Sequence, residues 1–286
     1  MHTDIAIPTA AYTAMSFNLL AFSGENDPTA QRIANVKNVI LTKMPDTFGV
    51  QECQSHTSAN HGTGWYEILT QDPQITQYYG FVGEVNDDGF QNMYNLVFYR
   101  KDKFTLVETW TKWLTETPTV HGSMLTDLGQ NAENDMPRTV TYALLRDQTT
   151  GKTFAHFNTH LSNWSNALLR ELEILKSFTD VCTVPYIITG DFNIGRVAVQ
   201  YSWGACYEYM RTHWKDACKH AFVSTEEWTT GSNIIDYFML SDSIYANTYE
   251  VVSSVGGTEY SIDRSDPSAA NFLSDHYPIF LNYFIE

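Results

Sequence analysis

Pro185-Tyr186-Ile187-Ile188-Thr189-Gly190-Asp191-Phe192-Asn193 reads as a short apolar strand that stops on an acid and an amide. The run Tyr186 to Thr189 is β-branched and aromatic, and Gly-Asp-x-Asn behind it is turn chemistry. Asp191 and Asn193 stand two residues apart, so both are expected on one side, facing solvent. A carboxylate beside a carboxamide at a strand's end takes a proton from water and donates a hydrogen bond to a developing oxyanion. Alone, the tetrapeptide is an Asx turn. Its meaning depends on what other strands deliver.

Other apolar runs end in the same way. Ala14-Met15-Ser16-Phe17-Asn18-Leu19-Leu20 delivers Asn18, and Thr47-Phe48-Gly49-Val50-Gln51-Glu52 delivers Glu52. Phe154 to Leu161 delivers His160, with Asn158 as a candidate support on the same strand. Asn233 to Leu240 delivers Asp236, and Ser274-Asp275-His276-Tyr277-Pro278-Ile279 brings Asp275 and His276 just before the last apolar run. Further strands are expected near 79–84, 93–99, 104–111, 138–146, 247–253 and 277–284. Gln31 to Leu41 and Trp164 to Val181 carry helical apolar spacing, with Asp27-Pro28 as cap and first turn of the former. Residues 115–137 are polar and aperiodic, a loop near the mouth of the site. Both halves of the chain send polar residues to one point, so residues 1–286 are expected to form a single α/β domain. Many strands with few helices suggest two mixed sheets packed face to face, with helices outside.

Composition narrows the class. The 286 residues are 43% hydrophobic and 14% aromatic, enough for a sizeable core. No apolar run has the length of a membrane span. Met1-His2-Thr3-Asp4-Ile5 has neither a basic region nor a hydrophobic signal core, so the cytoplasm is the default compartment, although a secreted protein freed of its leader would begin the same way. Cys53, Cys182, Cys206 and Cys218 form no C-x-x-C pair and are expected to be free thiols, with Cys53 beneath the site. The formal charge of −16, from 33 acidic and 17 basic residues, opposes long-range attraction to nucleic acid.

In these motifs and their order the chain resembles the endonuclease/exonuclease/phosphatase superfamily, from about Thr13 to Phe284. Trp113-Leu114-Thr115-Glu116-Thr117-Pro118, followed by Pro137-Arg138-Thr139-Val140, is similar to a bacterial subgroup largely without an assigned substrate. The resemblance implies a deoxyribonuclease I-like four-layer sandwich of two face-to-face mixed β-sheets flanked by helices. It implies Glu52 as principal ligand of Mg²⁺ or Mn²⁺, with Asn18 and Asp275 as further metal contacts. It makes Asp191 the group that orients or deprotonates water, Asn193 a donor to a phosphoryl oxygen, and His276, paired with Asp236, and His160 the phosphate-facing histidines. Arg138 is a candidate for the substrate phosphate. Two departures stand out: Ile234 where the family often has a basic residue, and Ser162 where it often has an acid.

The function expected is a divalent-metal-dependent phosphoesterase that hydrolyses a small or terminal phosphate ester by in-line attack of water, acting as a monomer. A DNA or RNA nuclease is the competing enzyme. A non-catalytic binding module would lack one of Glu52, Asp191, Asn193, Asp236 and His276, and all are present. A membrane-acting sphingomyelinase would need an exposed apolar loop, for which Tyr201-Ser202-Trp203 is the first place to look. His156 and Trp164 read as core residues, and the remaining histidines as surface ones.

Overall fold

Strict alternation along the first strand sets up the layers. In Tyr12–Asn18 (β1), Tyr12 and Ala14 enter one apolar core while Met15 and Phe17 enter another. A strand buried on both faces must lie between two other layers. The computed structural model describes residues 12–21, 29–55, 64–87, 92–126, 136–163, 165–196, 201–225 and 227–286.

After β1 come helix Ala30–Lys43 (α1), strand Thr47–Gln54 (β2), helices Trp65–Gln71 (α2) and Pro73–Thr76 (α3), and strands Tyr79–Val82 (β3), Met93–Arg100 (β4), Phe104–Trp113 (β5), Thr139–Asp147 (β6) and Thr153–His160 (β7). Helix Ser165–Asp180 (α4), strand Tyr186–Asp191 (β8), helix Tyr201–His213 (α5), strand Lys215–Asp216 (β9), helix Ala217–His220 (α6) and strand Val223–Ser224 (β10) follow. Strands Asp236–Leu240 (β11), Ile244–Val251 (β12), Ser254–Val255 (β13), Thr258–Glu259 (β14) and Ile279–Ile285 (β15) complete the order. One seven-stranded sheet runs β10-β12-β15-β1-β2-β4-β3 and one six-stranded sheet runs β5-β6-β7-β8-β11-β9. Both are mixed, with β1 parallel to β2 and β7 parallel to β8 among antiparallel neighbours.

Three apolar cores separate four layers. Val36, Val39 and Ile40 of α1 pack with Met15, Phe17 and Phe48 on the outside of the first sheet. Ala14, Val97, Phe154, Ile187, Phe238 and Tyr283 fill the space between the sheets. Leu168, Leu172 and Leu175 of α4 cover Phe157 and Ile188 on the far side. This is the α/β sandwich expected. Between the sheets Asn158 is fully buried and donates to Val50 O (2.8 Å) and Leu96 O (2.9 Å), so it ties the two sheets together. A Cβ on Gly49 would lie 2.3 Å from the Asn158 Oδ1, which is why the close approach of β2 to β7 takes glycine there.

Several local expectations are corrected. Helix α1 starts at Ala30, where Thr29 caps it by accepting from Arg32 N; Asp27 and Pro28 lie outside the described residues, as do Trp164, His2, His56 and His61. Strand β12 begins at Ile244, ahead of the expected 247. The stretch at 201–203 opens helix α5, whose Cys206 and Met210 are buried against the outer core and whose Trp203 is half-buried on it. The stretch is helix, not loop. The four cysteines are free, and Cys53 is buried in the core below the site.

Candidate active site

Register brings the site together before any side chain is considered. His160 pairs with Asp191 across β7 and β8, and Asp191 pairs with Asp236 across β8 and β11. The three occupy one row at the edge of the second sheet. Gly190 precedes that row because a Cβ there would meet Thr159 O at 2.3 Å. Asn18 lies opposite Gln51 at the corresponding ends of β1 and β2. Asp275 and His276 arrive from the segment before β15.

Asp191 is 2% exposed, so the acid closes the floor of a cleft and does not project into solvent as expected. Its Oδ1 accepts from Asn193 N (2.9 Å), the Asx turn that the sequence allowed. Its Oδ2 accepts from Asn18 Nδ2 (3.0 Å). Asn193 adopts the left-handed region (φ 53°), which an asparagine tolerates, and its amide donates to Leu161 O at 2.9 Å and lies 3.1 Å from His160 Nε2. His276 Nδ1 donates to Asp236 Oδ2 (2.8 Å), and its Nε2 lies 3.7 Å from Asp191 Oδ2.

Glu52 is not at a strand's end. It sits in a β-bulge of β2, between Val50 and Cys53, with φ 54°. The bulge turns the side chain toward the cleft, at the strain a left-handed non-glycine residue carries. There Oε2 accepts from Ala21 N (2.7 Å) and Oε1 from Asn18 Nδ2 (3.1 Å). Because Asn18 Oδ1 accepts from Leu20 N (3.0 Å), the amide presents its NH₂ to the two carboxylates. Asn18 therefore bridges Glu52 and Asp191 as a donor.

Electrostatics separate the titratable groups. Burial pushes the Asp191 carboxyl up to about 7; His276 opposes this and Asp236 adds to it. Burial disfavours the charged form of His276, yet Asp236, Asp191 and Asp275 outweigh it and raise the imidazolium to about 10. Burial and the nearby Arg138 push His160 down to about 3, so it is neutral. Burial also raises Glu52, but hydrogen bonds and the neighbouring rings hold it below the usual carboxylate range. Asp275 is raised by burial, with Glu52 adding and His276 and Arg264 opposing.

The cleft, about 350 Å³, is lined by Glu52, Arg138, His160, Asp191, Asn193, Asp275 and His276, and also by Met93, Met136, Asn163 and Arg264. Arg264 Nη1 lies 3.1 Å from Asp275 Oδ2. Sequence reasoning missed Arg264 and Asn163; a lone arginine in a polar segment carries no signal that separates it from a solvated charge. Asp191, Asp236 and His276 bring ligand-type atoms within 4.8 Å of one another, but His276 is spoken for by Asp236. The carboxylate oxygens lining the cleft, which suit a hard cation, belong to Glu52, Asp275 and Asp191.

A model of the endonuclease/exonuclease/phosphatase family matches residues 15–276, nearly all of the described chain. The chain belongs to this family. A search of curated proteins returns no match. Among solved structures, an endonuclease/exonuclease/phosphatase from Bacteroides vulgatus is similar at TM-score 0.76 and 24% identity, covering 96% of this chain and 99% of that one. A mannosyl-6-phosphatase from Bacteroides thetaiotaomicron is similar at TM-score 0.74 and 23% identity, covering 96% and 100%. D. rerio TDP2, complexed with a single-strand DNA product, is similar at TM-score 0.63 and 13% identity, covering 96% and 98%. At these identities the likeness is one of fold. At the Ser162 departure, Glu171 of α4, 1% exposed, accepts from Ser162 N (2.9 Å) and Oγ (2.6 Å) and so places a buried acid beside Ser162.

Proposed function

We propose that this chain hydrolyses a small or terminal phosphate ester with the aid of Mg²⁺ or Mn²⁺. The observation that carries the reading is the convergence of Asp191 and His276, 3.7 Å apart at the floor of a cleft, with His276 held by Asp236 at 2.8 Å. Asp191, titrating near neutrality, is suited to take the proton of an attacking water. His276, held as imidazolium by Asp236, keeps an N–H directed at the same point and donates to a phosphoryl oxygen as negative charge builds there. Asn193 adds a neutral donor where a substrate oxygen takes the place of its His160 contact, and Arg138 adds a cation. His160, neutral and 3.1 Å from the Asn193 amide, positions that donor and contributes no charge of its own.

The residues fit a hard divalent cation. Glu52 and Asp275 offer carboxylate oxygens to one cleft, Asp275 feels the charge of Glu52, and Asn18 and Ala21 fix the Glu52 carboxylate in place. Bound there, such an ion would neutralise phosphoryl and leaving-group oxygens. Chelation is expected to abolish hydrolysis, and Mg²⁺ or Mn²⁺ to restore it, in an assay over phosphomonoesters, phosphodiesters, oligonucleotides and phospholipids. Full turnover in chelator, with metal absent by elemental analysis, would overturn the metal-dependent reading.

The cleft volume and its two arginines suit one or two phosphate groups better than a strand. A nuclease is the second reading, supported by the likeness to a protein that holds a single-strand DNA product. Against it stands the excess of 33 acidic over 17 basic residues.

A further inference from the structure

Under the carboxylate wall of the cleft lies a guanidinium that the chemistry above does not use. Arg32, in the first turn of α1, is 2% exposed. Its Nε donates to Leu273 O (3.0 Å), and its Nη2 to Leu20 O (3.1 Å) and to Leu19 O. The plane lies over Trp65 at 5.1 Å and Phe272 at 5.4 Å. The cap of α1 uses only the backbone N–H of Arg32. The side chain is committed elsewhere.

Its acceptors belong to the two segments that carry Glu52's support and Asp275. Leu20 is left-handed (φ 57°), a conformation that Cβ sterics disfavour for a leucine. That turn aims the carbonyls of Leu19 and Leu20 at Arg32 and the N–H of Ala21 at Glu52 Oε2, 2.7 Å away. On the other side, Leu273 leads directly into Ser274, whose hydroxyl donates to Asn18 O (2.7 Å), and then into Asp275 and His276. Burial lowers the guanidinium to about 10, while the charges of Asp275 and Glu52 act to keep it protonated.

We propose that Arg32 is a positioning residue for the cleft. One buried fork holds the Leu19–Ala21 turn and the Leu273–Asp275 segment in the relation that points Glu52 and Asp275 at a common place, and its charge offsets theirs. The link to catalysis rests on the phosphoesterase reading; the clamp and the charge offset do not.

The test is a double-mutant cycle of Arg32→Met and Asp275→Asn, followed by melting temperature in chelator without substrate. Arg32→Met is expected to lose roughly 10 °C, the scale of an uncompensated buried charge, and at most half of that in the Asp275→Asn background. If Arg32→Met does not fold, Arg32→Gln takes its place in the cycle. Arg32→Lys, which keeps a charge but not the fork, is expected to lower kcat roughly tenfold with KM little changed, as for outer supports of a site. An equal loss of melting temperature in both backgrounds overturns the proposal, and so does a wild-type kcat for Arg32→Lys. If the wild type turns over no ester, the hydrolase reading fails by itself and the cycle alone decides Arg32.

Discussion

In the proposed reaction Asp191 and His276 have separate tasks, and substitution at each tests them. Asp191→Asn removes the proton acceptor while keeping shape, and kcat is expected to fall by roughly 10² to 10⁴, with circular dichroism unchanged. His276→Ala is expected to lower kcat by roughly 10² or more with a small change in melting temperature. Asp236→Asn should reproduce much of that loss, and the double variant should be no worse than His276→Ala, since Asp236 acts through the ring at 2.8 Å. Additive losses would mean that Asp236 has a role of its own. These residues were legible because each stands where an apolar run meets turn chemistry. The orientation of Asn18 was not, for it depends on the backbone N–H of Leu20, and neither was Arg264, whose partner Asp275 lies further along the same irregular connection between β14 and β15.

His156, buried on β7, shows what an element asks of a residue that the chemistry ignores. Its Nε2 lies 2.8 Å from Thr189 Oγ1, and burial pushes its pKa down to about 3, against about 6.5 in an unfolded chain. Between those values the unfolded chain binds a proton that the folded one refuses. The stability from keeping this ring neutral is therefore complete above about pH 6.5 and is lost as pH falls toward 3, at up to ~1.4 kcal/mol per pH unit. His160, also held neutral, acts with the same sign. In urea unfolding at successive pH values below 6.5, His156→Gln is expected to show a shallower loss of stability than the wild type, by about one proton; equal slopes would show the ring to be protonated in the fold. The central strands were readable from apolar runs bounded by turns, and α1 and α4 from their spacing. α2 and α5 were not: α2 is too short to show a period, and the buried face of α5 rests on Cys206 and Met210 among polar and half-buried aromatic neighbours. The bulge at Glu52 left no mark because no residue type there demands a left-handed backbone.

At the scale of the whole molecule, charge governs which substrates approach. A duplex-binding protein that neutralises several phosphates loses affinity steeply with salt, whereas a net charge of −16 leaves only local cations to do the holding. kcat/KM for a small or terminal ester is expected to exceed that for long duplex DNA, with KM for the favoured ester nearly flat in salt. Efficient cleavage of plasmid DNA at physiological salt, with poor turnover of every small ester, would reverse the order. The two sheets also differ in how the chain supplies them. Strands of the second all lie between Phe104 and Leu240, while the first is built from Tyr12–Arg100 and then from Val223–Ile285, with β1 seated between β2 and β15. On the ribosome the second sheet has all its strands in hand once Leu240 has emerged, but β1 keeps an open edge until β15 follows. Asp275 and His276 arrive with that strand. Under the proposed reaction, turnover then reports the arrival of Asp275 and His276: a nascent chain stalled before residue 275 would hold the His160–Asp191–Asp236 row and remain silent.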